Sequence, residues 1–256
     1  MPLALTQLPS PALSRCELTY LEREQIDFEL ALAQHRAYRE ALTEAGYEVV
    51  VMPSQAEHPD GVFVEDTAIV LDEIAVLCRP GAPSRQGEPR LIAPLLEQHR
   101  NVVPIEAPAT IEGGDVLEVG KTLFVGRTAR TNQAGIDALT TLLTPFGYRV
   151  IGVPIQGALH FKSACTAPRA DTILLNPDWV DPAVFEGYRI IEVHPDEPFA
   201  ANTLPVGDQV FVHTAYPKTN ALLAEAGISI RPIDISEFTK AEAALTCLSL
   251  LLGGAA

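Results

Sequence analysis

Apolar segments recur along the chain, and most of them are preceded by a glycine. Glycine adopts positive φ at little cost, so it is the usual residue just beyond the last turn of a helix. An apolar segment that follows such a glycine is therefore typical of a strand entered from a helix. Four segments have this pattern, and a fifth has the apolar part without the glycine: AGYEVVVMP (45–53), FGYRVIGVP (146–154), EGYRIIEVHP (186–195), AGISIRPID (226–234) and RNVVPIEAP (100–108).

Each junction is followed by further apolar segments and by a helical pattern. The clearest helix covers Glu24 to Ala45, and others are predicted at 88–99, 132–146, 181–186 and 218–226. Helical spacing predicts one apolar face on the first helix: Leu30, Ala33, Ala37, Tyr38, Ala41 and Leu42. The second apolar segment of every unit begins with polar residues: FVEDTAIVL (63–71), TIEGGDVLEV (110–119), LHFKSACTA (159–167), AANTLPVGD (200–208) and AALTCLSLLL (243–252).

The order strand, strand, strand, helix occurs five times, and it becomes ββαβ when read from its second strand. The N-terminal segment LALTQLP matches the third strand that the last unit lacks, so pairing of the N- and C-terminal strands would close a ring. Such a ring resembles the pentein fold of guanidine-modifying enzymes. The resemblance implies an α/β five-bladed propeller of ββαβ-type pseudo-repeats in a single domain, 1–256. The polar residues of each second segment would then point toward the central axis.

The composition of the chain indicates which partners the protein could bind and in which cellular compartment we expect it. The 256 residues carry a formal net charge of −15, and no basic stripe supports nucleic-acid binding. No apolar run approaches the ~18 residues of a membrane span, and the N-terminus lacks the features of a signal peptide. Four scattered cysteines without a CxxC pair favour reduced thiols in a cytoplasmic protein over a zinc site or a disulfide framework.

Three residues from different units combine a nucleophile, a proton donor and an orienting acid. Cys247 stands where the other units have polar residues, which favours a thiolate nucleophile over a buried apolar side chain. The repeat register places His160 beside the same axis, where it could move a proton instead of serving only as a structural histidine. Glu112 could orient His160 or remain a turn carboxylate, and the glycines after it allow a close backbone approach to a ligand.

Other charged residues could hold a charged substrate. VFVED is predicted to form a buried strand, yet it contains adjacent carboxylates, Glu65 and Asp66, whose burial is unfavourable unless a cation arrives. We expect Asp66 to point inward and Glu65 to reach round from the edge, since neighbouring strand residues face opposite sides. Arg85 and Arg130 follow third strands at corresponding points and could grip a carboxylate, while Asp60 could bind an ammonium group.

Six segments together resemble the dimethylargininases (dimethylarginine dimethylaminohydrolases). They occur in order along nearly the whole chain: HPDGVFVEDTAIV, RPGAPSRQGE, ATIEGGDVL, FVGRTARTN, ALHFKSA and LTCLSL. The resemblance implies that Cys247 is the nucleophile, His160 the proton donor and Glu112 the acid that orients it. It also implies the substrate-binding positions, with Leu18 on a mobile lid and Ala241 acting through its carbonyl: Leu18, Asp60, Phe63, Glu65, Asp66, Arg85, Arg130 and Ala241.

The implied reaction is hydrolysis of Nω-methylated arginines to citrulline through an S-alkylthiouronium on Cys247. No metal or organic cofactor is implied, and a homo-oligomer stays open. Members of the family usually have glycine shortly before the nucleophile, whereas this chain has Ala243 and Ala244, so strain is expected there if positive φ is required. Two enzyme alternatives remain: arginine deiminase-type chemistry and hydrolysis of another guanidino acid. An alternative of another class is a non-catalytic pentein that binds a partner.

Overall fold

The strands form five three-stranded sheets in the computed structural model, which describes residues 1–253. The strands are β1 (Leu3–Gln7), β2 (Glu48–Met52), β3 (Ala68–Val70), β4 (Ala75–Leu77), β5 (Val102–Pro104), β6 (Val116–Val119), β7 (Thr122–Arg127), β8 (Arg149–Pro154), β9 (Cys165–Arg169), β10 (Thr172–Leu175), β11 (Arg189–Glu192), β12 (Leu204–Val206), β13 (Gln209–His213), β14 (Ile230–Ile233) and β15 (Leu250–Leu252). The α-helices are α1 (Phe28–Glu44), α2 (Pro89–Leu96), α3 (Gln133–Leu143), α4 (Phe161–Ala164), α5 (Pro217–Glu225) and α6 (Ser236–Thr239).

All five sheets have the same topology. In the sheet β3-β4-β5, the first pair is antiparallel and the second is parallel, with α2 in the crossover. A parallel pair needs such a crossover because a tight turn cannot join its strands. The predicted ββαβ order is therefore confirmed, and a 3-10 helix, Pro182–Phe185, replaces the α-helix between β10 and β11.

The two ends of the chain share one sheet, in the order β15-β1-β2. Leu3 lies opposite Leu252 and Leu5 opposite Leu250 in an antiparallel pair. The prediction that the N-terminal strand completes the last unit is thus confirmed. The glycine pattern is confirmed as well, because positive φ occurs at each of the four junction glycines: Gly46, Gly147, Gly187 and Gly227.

The predicted apolar face of α1 is partly wrong. Tyr38, Ala41 and Leu42 are fully buried, but Leu30, Ala33 and Ala37 are exposed. The buried face instead runs through Ala31, Gln34 and His35. Two of those residues are polar, and for that reason apolar periodicity misplaced the face toward the N-terminus of the helix.

The polar residues before the first strand lie in short helical turns in four of the five sheets, and before β12 they lie in a segment without helix or strand. Val64–Thr67, Gly113–Asp115 and Thr246–Leu248 are 3-10 helices, and α4 occupies the corresponding place after His160. The prediction that VFVED is a strand is therefore wrong, since β3 begins only at Ala68. A tight turn directs neighbouring side chains inward together, and Glu65 and Asp66 are both buried, at 6% and 2% exposure.

A cavity of about 520 Å³ lies beyond these turns. Its lining includes residues of β3, β6, β9, β12 and β15, which are the first strands of the five sheets. It also reaches Glu65, Lys162 and Thr246, so its inner end borders the turns that carry the predicted site. Among the described residues, no helix combines the length and the apolar character that crossing a membrane requires.

Candidate active site

Asp66 forms a buried ion pair with Arg85. Its Oδ2 accepts a hydrogen bond from Arg85 Nη1 at 2.7 Å, and its Oδ1 accepts one from the backbone N–H of Gly114 at 2.9 Å. Arg85 lies at the end of a 3-10 helix, Pro83–Arg85, and is 3% exposed. Since both charges are removed from water, each needs the other to be compensated.

Arg85 is also bound by a carboxylate that the sequence analysis missed. Its Nε and Nη2 donate to Glu88, at 3.0 and 2.8 Å, and a second Nη2 contact reaches the carbonyl of Phe63 at 3.2 Å. Burial raises the pKa of Glu88 to about 7, against the lowering effect of Arg85. A guanidinium has five N–H groups, and one at Nε, one at Nη1 and two at Nη2 are engaged. One Nη1 donor therefore remains for a further acceptor.

Glu65 connects the turn before β3 to the segment that carries Cys247. Its Oε1 lies 2.5 Å from Lys162 Nζ, and its Oε2 accepts a hydrogen bond from Thr246 Oγ1 at 2.7 Å. Thr246 Oγ1 also accepts from Asn202, and its N–H donates to the same amide. Residues of four sequence units thus fix the residue immediately before Cys247. The expectation that Glu65 reaches round from the edge is replaced by a buried, paired carboxylate.

Glu112 and His160 form a short polar contact. Glu112 Oε2 lies 2.6 Å from His160 Nε2, while Oε1 accepts from Arg130 Nη1 at 3.3 Å and from the N–H of Gly81 at 3.0 Å. Burial alone would lower the pKa of His160, but Asp66, the Glu112 hydrogen bond and Asp115 raise that pKa to about 9. This raised pKa favours the imidazolium form of His160 at neutral pH. Glu112 contacts the ring, and its role as the orienting acid stays a prediction.

The paired glycines after Glu112 make this packing possible. A Cβ at Gly113 would lie 2.0 Å from the Glu65 carbonyl oxygen, and one at Gly114 would lie 2.7 Å from Asp66 Oδ1 and 2.9 Å from the His160 ring. All three distances are shorter than Cβ atoms show in real proteins. The glycines were predicted to admit a ligand, whereas here they admit the backbone of Glu65 and the side chains of Asp66 and His160.

Asp115 fixes the start of α4, directly after His160. Its Oδ1 accepts from the N–H of Phe161 at 2.9 Å, and its Oδ2 accepts from Thr128 and Thr131 at 2.7 and 2.6 Å. Burial raises the pKa of Asp115 to about 6. Phe161 is fully buried, so the backbone next to His160 is held by both a hydrogen bond and apolar packing.

Cys247 is buried at 9% exposure in the 3-10 helix before β15. The N–H of Ala244 donates to its Sγ at 3.4 Å. Burial raises the pKa of the Cys247 thiol, and the negative charges of Glu65 and Asp66 raise it further. The thiol is therefore protonated in the ligand-free protein. A cation placed beside it would lower its pKa and favour the nucleophilic thiolate.

Residues 17–25, here called the lid segment, have no regular secondary structure and lie largely exposed. Leu18 in this segment is half-buried and packs against the cluster that contains Phe63, Ala241 and Cys247. At its base, the N–H of Glu17 donates to both carboxylate oxygens of Asp60 at 3.2 Å. The structure thus places these predicted binding residues along one edge of a single core cluster, although Asp60 already has a protein partner.

Asp66, Glu112 and His160 also have the donor types of a metal site. Their ligand atoms all lie within 4.8 Å of one another. Each donor atom already has a partner, since Glu112 Oε2 contacts His160 and both oxygens of Asp66 accept hydrogen bonds. The expectation that no metal is required stays a prediction.

Comparison with known proteins identifies the family. A family model described as "N,N dimethylarginine dimethylhydrolase, eukaryotic" matches residues 17–166. The chain is 39% identical to an N(G),N(G)-dimethylarginine dimethylaminohydrolase of Streptomyces coelicolor, over 97% of this chain and 96% of the relative. The chain belongs to the dimethylarginine dimethylaminohydrolase family.

Similarity to this family extends to three dimensions. An N(G),N(G)-dimethylarginine dimethylaminohydrolase of Pseudomonas aeruginosa is 33% identical, over 88% of this chain and 89% of the relative. A solved structure of a Pseudomonas aeruginosa enzyme of this name, a mutant complexed with citrulline, has a TM-score of 0.93 at 31% identity and covers 97% of this chain and 98% of its own. The α/β fold of this dimethylarginine dimethylaminohydrolase family member is therefore shown by a solved relative.

This member of the dimethylarginine dimethylaminohydrolase family departs from the expected backbone before the nucleophile. Ala243 and Ala244 were expected to bear strain, but among the described non-glycine residues positive φ occurs at Glu242, with φ 57°. The strained position thus lies just before the two alanines. The sequence analysis also gave no role to Glu88, Lys162 or Thr246. Each of them lies within three residues of a predicted site residue, and this proximity in sequence could have marked them as candidates.

Proposed function

We propose that this protein hydrolyses Nω,Nω-dimethyl-L-arginine and Nω-monomethyl-L-arginine. Water and the methylated arginine give L-citrulline and dimethylamine or methylamine. Membership of the dimethylarginine dimethylaminohydrolase family supports this reaction, as do relatives of that name that match over most of the chain. One structural observation supports it most strongly: His160, with a pKa of about 9, is held by Glu112 at 2.6 Å beside Asp66.

The substrate guanidinium would bind between the buried acids of the site. A guanidinium is planar and carries several donors, which suits carboxylates such as Asp66 and Glu65. Its positive charge would also stabilise both acids and lower the raised pKa of the Cys247 thiol. The nucleophile is then activated only when substrate is present, which limits reaction of the thiol with other electrophiles.

Cys247 thiolate would attack the central guanidinium carbon and form a C–S bond. The tetrahedral adduct then loses the methylated nitrogen, which takes a proton from the His160 imidazolium and leaves as dimethylamine. The covalent S-alkylthiouronium remains on Cys247. Water that loses a proton to His160 attacks the same carbon, the C–S bond breaks, and citrulline is released. Glu112 keeps His160 oriented through both proton transfers.

The amino-acid end of the substrate would be held by residues at the edge of the site. The guanidinium of Arg130 contacts Glu112 through Nη1 alone, so its other N–H donors can bind the substrate carboxylate. The guanidinium of Arg85 retains a single N–H donor, because Asp66, Glu88 and Phe63 accept from the others. We therefore assign the larger part of carboxylate binding to Arg130. Asp60 and the carbonyls near Leu18 and Ala241 are suited to the α-ammonium group. Phe63 contributes its carbonyl to Arg85 and its ring to the adjoining core.

We also propose that the five sheets form a closed five-bladed propeller in one domain, 1–256. Two observations support closure: β1 pairs with β15, and the first strands of all five sheets line one cavity. A cytoplasmic location, the absence of nucleic-acid and membrane partners, the lack of a cofactor and the open question of a homo-oligomer stay predictions.

One assay tests the proposed function and separates the enzyme alternatives. The purified protein is incubated with Nω,Nω-dimethyl-L-arginine, monomethyl-L-arginine and L-arginine, and citrulline, alkylamine and ammonia are measured in each case. Citrulline with dimethylamine from the first substrate is expected. Citrulline with ammonia from arginine alone would favour the deiminase-type alternative. No product from any of the three would favour another guanidino acid or a non-catalytic protein.

A further inference from the structure

Glu242 has an unusual backbone conformation and an unusual set of hydrogen bonds. Its φ of 57° falls in the left-handed region, which glycine adopts freely and a residue with a side chain adopts only with strain. Such strain persists only where other contacts hold it. The contacts of the Glu242 carboxylate supply that restraint.

The carboxylate of Glu242 accepts hydrogen bonds from three consecutive backbone N–H groups of the lid segment. The N–H of Thr19 lies 3.0 Å from both oxygens, and those of Tyr20 and Leu21 lie 2.5 and 2.6 Å from Oε1. Hydrogen bonds to an ionised acceptor are stronger than those between neutral groups. In a segment without helices or strands, these are the main polar contacts that fix its middle.

A second contact from the same region secures the far end of the lid segment. Lys240 Nζ donates to the carbonyl of Gln25 at 3.1 Å and is itself held by Glu237 at 2.7 Å. At the near end, Glu17 is tied to Asp60. The lid segment is thus fixed at both ends by contacts that do not involve the Glu242 carboxylate.

We propose that Glu242 is a positioning residue that latches the lid segment over the active site. The latch joins the residue after Leu18 to the residue after Ala241, so it sets the distance between two backbone positions assigned to substrate binding. Substitution should therefore weaken substrate binding more than it slows the chemical steps. The kinetic part of this inference rests on the proposed function, whereas lid closure in the free protein does not.

Two variants distinguish the effect of the Glu242 carboxylate from the effect of its strained backbone. Glu242→Gly removes the side chain and accepts the left-handed φ without strain, so the fold should stay at least as stable. Glu242→Gln keeps the length and removes the charge. Glu22→Gln is the matched control, because it makes the same chemical change at an exposed position of the lid segment.

Hydrogen exchange on the ligand-free proteins measures the latch directly. In Glu242→Gly and Glu242→Gln, we expect the amides of Thr19, Tyr20 and Leu21 to exchange at least about tenfold faster than in the wild type. For dimethylarginine hydrolysis, KM should rise about 3- to 30-fold while kcat stays within about threefold. Glu22→Gln should match the wild type in both measurements.

Unchanged exchange at these amides in Glu242→Gly would overturn the latch, whatever the kinetics. A lower Tm with unchanged exchange and unchanged KM would show a merely structural role and would overturn it too. Should the wild type release no citrulline from any methylarginine, the proposed function falls, and the exchange rates alone then decide whether Glu242 closes the lid segment.

Discussion

His160 and His35 are both buried, and their surroundings give them opposite properties. His160 is 5% exposed and has Glu112, Asp66 and Asp115 around it, which together raise its pKa to about 9. His35, on α1, is 0% exposed, and burial with the nearby charge of Arg39 lowers its pKa to about 3. Burial disfavours the charged ring in both places. The neighbouring charges alone decide that one ring is an acid at neutral pH and the other is neutral.

The hydrogen bonds of the two rings differ in the same way. His160 Nε2 contacts Glu112 at 2.6 Å, whereas neither ring nitrogen of His35 has a partner among the described residues. His35 packs against Phe238 of α6, with 6.2 Å between ring centroids. A buried histidine is therefore weak evidence for function, and the carboxylates that face it are the informative feature.

The largest effect is expected from removing the proposed nucleophile, Cys247. Cys247→Ser should lower kcat at least about 10⁴-fold, because a hydroxyl is a far weaker nucleophile than a thiolate, while binding of dimethylarginine survives. Citrulline formation and ligand affinity are measured on the same preparation. Cys165→Ser is the matched control at a fully buried cysteine outside the site, and it should keep kcat within about threefold while lowering Tm. Substantial hydrolysis by Cys247→Ser would reject the assigned nucleophile.

The same substitution at both histidines tests directly whether their different surroundings give them different roles. His160→Gln should lower kcat about 10²–10⁴-fold, since the proton donor to the departing amine is lost. His35→Gln should leave kcat within about threefold, because that ring lies on the packed face of α1. Steady-state citrulline assays compare the two variants, with circular dichroism to check folding. Equal losses of activity in both variants would show that burial, and not the acids around His160, explains the effect.

Removal of one acid should move His160 toward the behaviour of His35. Glu112→Gln takes away the charge and the orienting acceptor, so the pKa of His160 should fall below about 9 and kcat should drop about 10- to 100-fold. The pKa is followed by NMR of the imidazole in the free protein. An unchanged titration with full activity would contradict the role given to Glu112.

The smallest expected effect is on the pH dependence of stability. The folded state lowers the pKa of His35 from 6.5, so its contribution is complete above about pH 6.5 and decreases as pH falls toward 3, by a few kcal/mol. His160, whose pKa is raised, contributes fully below about pH 6.5, and this contribution is lost as pH rises through 9.

His35→Leu should therefore flatten the acid side of the stability curve and leave the alkaline side unchanged. Urea unfolding from pH 4 to pH 10 measures both sides. If the variant loses stability on acidification as steeply as the wild type, the acid sensitivity originates elsewhere.

The fold was largely predictable because the glycines that end its helices are local sequence signals. Glycine at a helix end depends on the conformation of one residue, and Gly46, Gly147, Gly187 and Gly227 all have the expected positive φ. The pairing of β1 with β15 followed from counting strands across the five units. By contrast, the buried face of α1 was misplaced because it contains two polar residues, Gln34 and His35. Gln34 donates hydrogen bonds to Asp234 and Ser236, which lie about 200 residues further along the chain.

The sequence predicted the candidate members of the site, but apart from Glu112 and His160 it did not predict which of them contact one another. Cys247, His160, Glu112 and Asp66 were found from repeat register and family motifs. The turn at 64–67 was interpreted as a strand because its apolar residues match either structure over so short a length. The bonds from Lys162 and Thr246 to Glu65 join residues far apart in the chain, and no sequence pattern predicts such distances. Strain at Glu242 also escaped notice, since it requires a measured φ.

The pairing of β1 with β15 affects the order in which parts of the protein fold during synthesis. Synthesis produces β1 first and β15 last, separated by on the order of ten seconds or more at about 5–20 residues per second. Until then β1 has an open edge, which can pair with other chains. Cys247 stands three residues before β15 and is placed by the same late event. A nascent chain therefore positions Cys247 only when β15 pairs with β1, so an incomplete copy lacks an assembled candidate site.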